Sequence, residues 1–182
     1  KPEEIVFTAG ATESTNFIIK GYMDYRRYYG DGKNHIITSA AEHKATLNTC
    51  KYLNGELYSN NDPTISLLGD KQRVDRGYEA SFIEVSSCGE VKKNLVENAF
   101  RANTAMVSII HVNNEVGTIN DIGTIAELCH AREVAFHSDL TQAVGKLEVD
   151  VKKLGIDYAS CSAHKIYGPK GIGAAYLKSD DY

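Results

Sequence analysis

A lysine placed directly after a histidine opens the chemical reading of this chain, in the run CSAHKIYGPKGIG at residues 161–173. Lys165 ends an apolar stretch and is followed by Gly168, Pro169, Gly171 and Gly173. A lysine facing solvent needs no such staging. One that condenses with a carbonyl carbon must be reachable by a small molecule, and glycines let the backbone turn tightly or pass close to it. Other polar groups recur in similar settings: Ala11 and Thr12 in AGATES, His43 in AAEHK, Asn113 and Asn114 in NNEVG, Asp139 and Gln142 in HSDLTQ, and Ser162 and His164 beside the lysine. A carboxylate near a core wants a cation or a hydrogen-bond donor, because an unpaired buried charge is expensive. Plainer accounts stand beside each: helix capping for Thr12, Ser14 and Asp139, a satisfied structural histidine for His43, turn chemistry for the asparagines.

The elements that must position these groups follow from periodicity. Strand-like runs at 4–8, 35–39, 81–86, 105–112, 134–139, 156–162 and 173–177 alternate with helical patterns. The helices run from the first strand to about 28, over 44–54, around 91–102 and over 122–132. Between about 55 and 80 the pattern dissolves into Asn, Asp, Gly and Pro, which predicts a long polar loop or insertion. This alternation predicts an α/β fold, a mostly parallel central sheet with helices on both faces. Ligands of such sheets bind at the carboxyl ends of the strands, where all of the polar groups above fall. AGATES opens a helix whose free amides favour an anion, yet it matches neither the P-loop nor the dinucleotide glycine pattern. One ligand would use the whole set: an anionic phosphate, a heteroaromatic ring with a basic nitrogen, and a carbonyl carbon. Pyridoxal 5'-phosphate meets each demand, with a Schiff base on Lys165 and the Asp139 carboxylate on the ring nitrogen.

The bulk properties narrow the alternatives. The 182 residues are 42% hydrophobic and 24% charged, as in a globular domain with a sizeable core. A net charge of −4 gives no electrostatic footprint for nucleic acid or an anionic membrane, and no apolar run approaches the ~20 residues of a membrane span. Cys50, Cys88, Cys129 and Cys161 show no metal-ligand spacing, so reduced thiols in the cytoplasm or an organellar matrix are expected, with no metal. Both ends fall close to strand-like segments and read as cut.

GATES, EHKATL, HVNNEVG, DLTQAVGK and SAHKIYGPKGIG, in this order and over nearly the whole chain, resemble the signatures of the cysteine desulfurases. These are the NifS/IscS-like group of fold-type-I pyridoxal-phosphate enzymes, in aminotransferase class V. The resemblance implies removal of sulfur from L-cysteine, giving L-alanine and an enzyme persulfide for iron–sulfur scaffold proteins or thiolation pathways. It implies that Lys165 carries the cofactor and moves the substrate α-proton, and that His43 stacks on the ring and assists proton transfer. Asp139 would pair with the ring nitrogen and Gln142 with the phenolic oxygen. Ala11, Thr12, Ser162 and His164 would hold the phosphate, with Asn114 beside the cofactor and the substrate carboxylate. It further implies a homodimer, and residues 1–182 forming the large cofactor-binding domain, truncated at both ends. A C-terminal small domain bearing the nucleophilic cysteine and a substrate-gripping arginine would then lie outside this chain, leaving the isolated fragment inactive. Leu140 stands where the family usually has a small residue and would crowd the ring. The alternatives are a selenocysteine lyase, a cysteine sulfinate desulfinase, a class V aminotransferase, or a non-catalytic truncated homologue.

Overall fold

The structure, a computed structural model, describes residues 1–56 and 74–179. Most of the polar stretch expected at 55–80 lies outside the described residues. The elements run β1 (Ile5–Thr8), α1 (Ala11–Tyr28), β2 (His35–Ser39), α2 (Lys44–Leu53), β3 (Glu79–Ile83), α3 (Lys93–Ala99), β4 (Thr104–Ser108), α4 (Ile122–His130), β5 (Ala135–Asp139), β6 (Tyr158–Ser162) and β7 (Gly173–Leu177). The strands form one sheet in the order β1-β7-β6-β5-β4-β2-β3. Only β7 runs against the rest, pairing antiparallel with β1 on one side and β6 on the other. The parallel strands therefore deliver their carboxyl ends to a single edge.

Alternation within the strands builds two cores. Ile36 and Met106 point to one face, where Ile18, Ile19 and Met23 of α1 and Cys50 and Leu53 of α2 cover them. Their neighbours Ile37 and Val107 point to the other face, under Val96 of α3 and Ile122, Ile125 and Cys129 of α4. Side chains alternate across a strand, so a strand buried on both faces reads as a continuous apolar run. Each fully buried isoleucine or phenylalanine, Phe136 among them, contributes about 1.5–3 kcal/mol.

Two elements are shorter than their sequence patterns by three residues or more. The apolar run expected as a strand over 105–112 parts from β2 after Ser108, where the Ile110 N–H turns to the Glu42 side chain, although the Ile109 and His111 N–H groups still reach the His137 and Asp139 carbonyls of β5. The helix expected around 91–102 is confined to Lys93–Ala99, with Phe100 already extended. At the other side of the sheet, β7 begins hard against the start of α1. A Cβ on Gly173 would lie 2.5 Å from the Gly10 carbonyl carbon, so only glycine permits this approach.

Candidate functional site

The carboxyl edge of the sheet opens into a cleft of about 790 Å³. Ala11, Thr12, His43, Asn114, Asp139, Gln142, Ser162, His164 and Lys165 all line it. Asn113 does not: it is buried, donates to the Ala41 carbonyl, and accepts the N–H groups of Glu115 and Val116. The plain turn account holds for Asn113 and leaves Asn114 to the cleft.

One end of the cleft is the start of α1. The first N–H groups of a helix have no intrahelical acceptor, and the N-cap here is Gly10, which offers no side chain. Ser14 does not cap the helix, because its hydroxyl meets Thr8 Oγ1 at 2.8 Å and the Gly10 carbonyl at 3.3 Å. Thr12 lies exposed at the rim, with its carbonyl taken by Asn16. Across from this helix end, Ser162 Oγ and His164 Nδ1 share a hydrogen bond of 2.7 Å. An uncapped helix start beside a hydroxyl and an imidazole is a donor set suited to a phosphate.

Asp139 closes β5 on the floor of the cleft and is 3% exposed. Its Oδ1 accepts the Thr141 N–H at 2.9 Å. Burial pushes its carboxyl above the ordinary range, opposed by the Thr141 hydrogen bonds and by the nearby His43. No ion pair reaches it among the described residues, so a ring N–H⁺ would supply the missing cation. His43 is the N-cap of α2, its Nδ1 accepting the Ala45 N–H at 3.1 Å. In the neutral ring the proton therefore sits on Nε2. Both the capping and the site reading apply to this one side chain.

Gln142 enters from the turn after β5, with its Oε1 accepting from Lys146 Nζ at 2.6 Å. Lys165 follows β6 in a short 3-10 turn, Ala163–Ile166, and is exposed into the cleft. The turn closes through Tyr167, left-handed at φ 61°. A Cβ on Gly168 would lie 2.8 Å from that of Ala163, so a glycine is needed to fold the loop back. Leu140, expected to crowd a ring in the cleft, is instead 3% exposed within the α4-side core. Chain direction explains the correction: the residue after the last one of a strand points to the opposite face.

Sequence reasoning passed over three groups. Lys170 lines the cleft, and its place in the GPKG run was the available signal. Thr141 supplies the N–H that orients Asp139. Glu42, the neighbour of His43, is 5% exposed and packs beneath the site; nothing in AAEHK marks it as buried. An anion grip, a lone carboxylate and a free amine around one cavity fit the three demands of pyridoxal phosphate.

The model of the family Aminotransferase class-V matches residues 1–59 and 66–181. The chain is 47% identical over 177 residues to a cysteine desulfurase IscS of Vibrio vulnificus, and 48% identical to one of Pseudomonas aeruginosa. Each match takes in 97% of this chain and 38% of the relative, so the chain spans well under half the length of these proteins. Among solved structures, one titled "SspA in complex with cysteine" superposes with a TM-score of 0.82 at 39% identity, over 97% of this chain and 44% of the other. A NifS-like protein superposes with a TM-score of 0.80 at 36% identity, over 100% and 44%. The chain belongs to the aminotransferase class-V family, in the company of members named cysteine desulfurase.

Proposed function

We propose that these residues form the pyridoxal-phosphate-binding part of a cysteine desulfurase, which splits the carbon–sulfur bond of L-cysteine and passes the sulfur to a thiol. The observation that carries this reading is the convergence of Lys165 and Asp139 on one cleft with an uncapped helix start at its end. Support for cysteine as substrate comes from the IscS relatives and from the SspA structure, which is titled as a complex with that amino acid.

When bound, pyridoxal phosphate supplies an aldehyde that takes up amines and a ring that withdraws electrons from the substrate α-carbon. The residues of the chain do the rest. The N–H groups at the start of α1, with Thr12, Ser162 and His164, hold the phosphate. Asp139, kept in place by the Thr141 N–H, would accept the ring N–H and favour its protonated form. The Lys165 amine would hold the cofactor's aldehyde carbon and stands placed to move the substrate α-proton. His43 would cover the ring face, with its Nε2–H available because Nδ1 accepts the Ala45 N–H. Gln142, its Oε1 held by Lys146 Nζ, would donate from Nε2 to the phenolic oxygen. Asn114 faces the substrate carboxylate.

The thiol that receives the sulfur is proposed to come from elsewhere in the intact protein. Cys50 and Cys129 are fully buried, and burial pushes the thiol of Cys129 up to about 12. Neither Cys88 nor Cys161 lines the cleft. The proposed protein works as a homodimer, in a reducing compartment, and hands its sulfur to an acceptor or iron–sulfur scaffold protein. Among the described residues no helix is long and apolar enough to cross a membrane.

The test is direct. The intact protein, given pyridoxal phosphate and L-cysteine, is expected to release alanine in step with protein-bound sulfur or sulfide. Borohydride is expected to fix the cofactor on Lys165. Absence of both products, with no label on Lys165, overturns the reading.

A further inference from the structure

Glu42 lies between β2 and α2, one residue before His43, yet its side chain turns inward and is 5% exposed. Its Oε1 accepts two hydrogen bonds, from Ser39 Oγ at 2.7 Å and from the Ile110 N–H at 3.0 Å. These clamp the loop carrying His43 to the exit of β4, which leads on to Asn114. A further bond from Asn113 to the Ala41 carbonyl holds the same two segments together. The other oxygen, Oε2, is buried with no partner among the described residues. A buried ionised carboxylate with an open oxygen and no cation is unstable, and the usual escape is to take up a proton.

Two acidic or thiol groups face it electrostatically: Asp139 from β5 and Cys50 from α2. Asp139 opens into the cleft and has His43 nearby, whereas Glu42 is sealed from it. Where two carboxyls repel across a shared interior, the proton settles on the one whose charge is less compensated. Glu42 has a sealed oxygen with no partner among the described residues, while Asp139 has the Thr141 N–H, His43 and the opening of the cleft. We propose that Glu42 is a positioning residue, a neutral carboxylic acid that braces the His43 loop against the exit of β4 and leaves Asp139 to carry the negative charge on the cleft floor. In keeping with this, burial raises the Glu42 carboxyl from 4.5 to about 8, with the Asp139 charge adding to the rise.

The consequence for a bound cofactor rests on the pyridoxal-phosphate reading; the protonation of Glu42 does not. Wild type, Glu42→Gln and Glu42→Ala forms of the intact protein are therefore compared first without cofactor, by urea unfolding across the pH range. The folded-state value is raised, so wild type loses stability relative to Glu42→Gln as pH rises from about 4.5 to about 8. The folding equilibrium of wild type shifts by roughly tenfold per pH unit against that variant, then levels. Difference infrared spectra at neutral pH are expected to show a protonated carboxylic acid band that Glu42→Gln removes. A wild-type-to-Gln difference that stays flat with pH, or the absence of that band, overturns the proposal.

With pyridoxal phosphate added, Glu42→Gln is expected to keep the visible band of wild type, since the amide oxygen accepts the same two hydrogen bonds. Glu42→Ala is expected to shift that band and to weaken cofactor affinity by about tenfold or more. Wild-type affinity and an unmoved band in Glu42→Ala overturn the bracing role. Failure of the wild type to bind the cofactor sinks the cofactor reading and leaves the unfolding result to stand or fall by itself.

Discussion

Two aspartates sit at opposite edges of the same sheet and are treated in opposite ways. Asp157, at the amino edge before β6, is held on every side. It accepts from His130 Nε2, Lys178 Nζ and the Phe136 N–H, each at 2.9 Å. Asp139, at the carboxyl edge, accepts the Thr141 N–H and has no ion pair among the described residues. It is nonetheless the more buried of the two, at 3% exposure. An acid fully matched by its own chain serves the fold. An acid left short of a cation, on the floor of a cleft, serves something that is to be bound.

Substitution should separate these roles. Asp139→Asn in the intact protein is expected to lower the rate with L-cysteine by about a hundredfold or more, as loss of a charge that acts on the reacting ligand does. Without cofactor the same variant should be as stable as wild type or more so, because it removes a strained charge. A loss of apo stability as large as that of Asp157→Asn would break the contrast. Asp157→Asn is expected to lose about 1–3 kcal/mol in urea unfolding, since it strips partners from His130 and Lys178. Cofactor affinity, read by titration of the visible band, should be unmoved.

Between the two edges lie histidines that sharpen the picture. His35 and His137 are fully buried and neutral in the fold, with burial lowering them to about 4 and about 3. His137 Nδ1 meets Ser108 Oγ at 2.8 Å and Nε2 has no partner among the described residues, so no acceptor or negative charge compensates a proton there. Below the unfolded value of 6.5 the unfolded chain takes up protons that the folded one refuses. Stability is therefore lost as pH falls, by about 1.4 kcal/mol per pH unit for each such histidine. Urea unfolding of wild type against His137→Asn from neutral pH towards pH 5 should show it. A difference that does not change with pH would mean that the ring is charged in the fold.

The smallest effect tests a residue with both duties. His43→Ala is expected to lose about 1 kcal/mol, the value of an N-cap, together with activity. His43→Asn should restore the cap and the stability, but not the turnover with L-cysteine. Recovery of both by asparagine would reduce His43 to a structural cap.

How much was legible in the sequence follows from these same residues. The continuous apolar runs around Ile36, Met106 and Phe136 could belong only to strands covered on both faces, and the polar residues after them had to fall at one edge. The lysine motif and the aspartate after FHS were legible because chemistry restricts which residue types can do their work. Leu140 was misplaced because a family comparison assigns a position and does not give the side on which a side chain lies. Glu42 was invisible because a glutamate before a helix is ordinarily solvated.

Local rules therefore fixed the elements, their order and the groups at their ends, since period, capping and turn chemistry act within a few residues. Only the packed structure decided that Asp157 would find three partners, that Asp139 would lack a cation among the described residues, and that Glu42 would face inward. Those outcomes depend on burial and on neighbours distant in sequence, such as Ile110 for Glu42 and Lys178 for Asp157. The energy of a charge is set by what surrounds it in space.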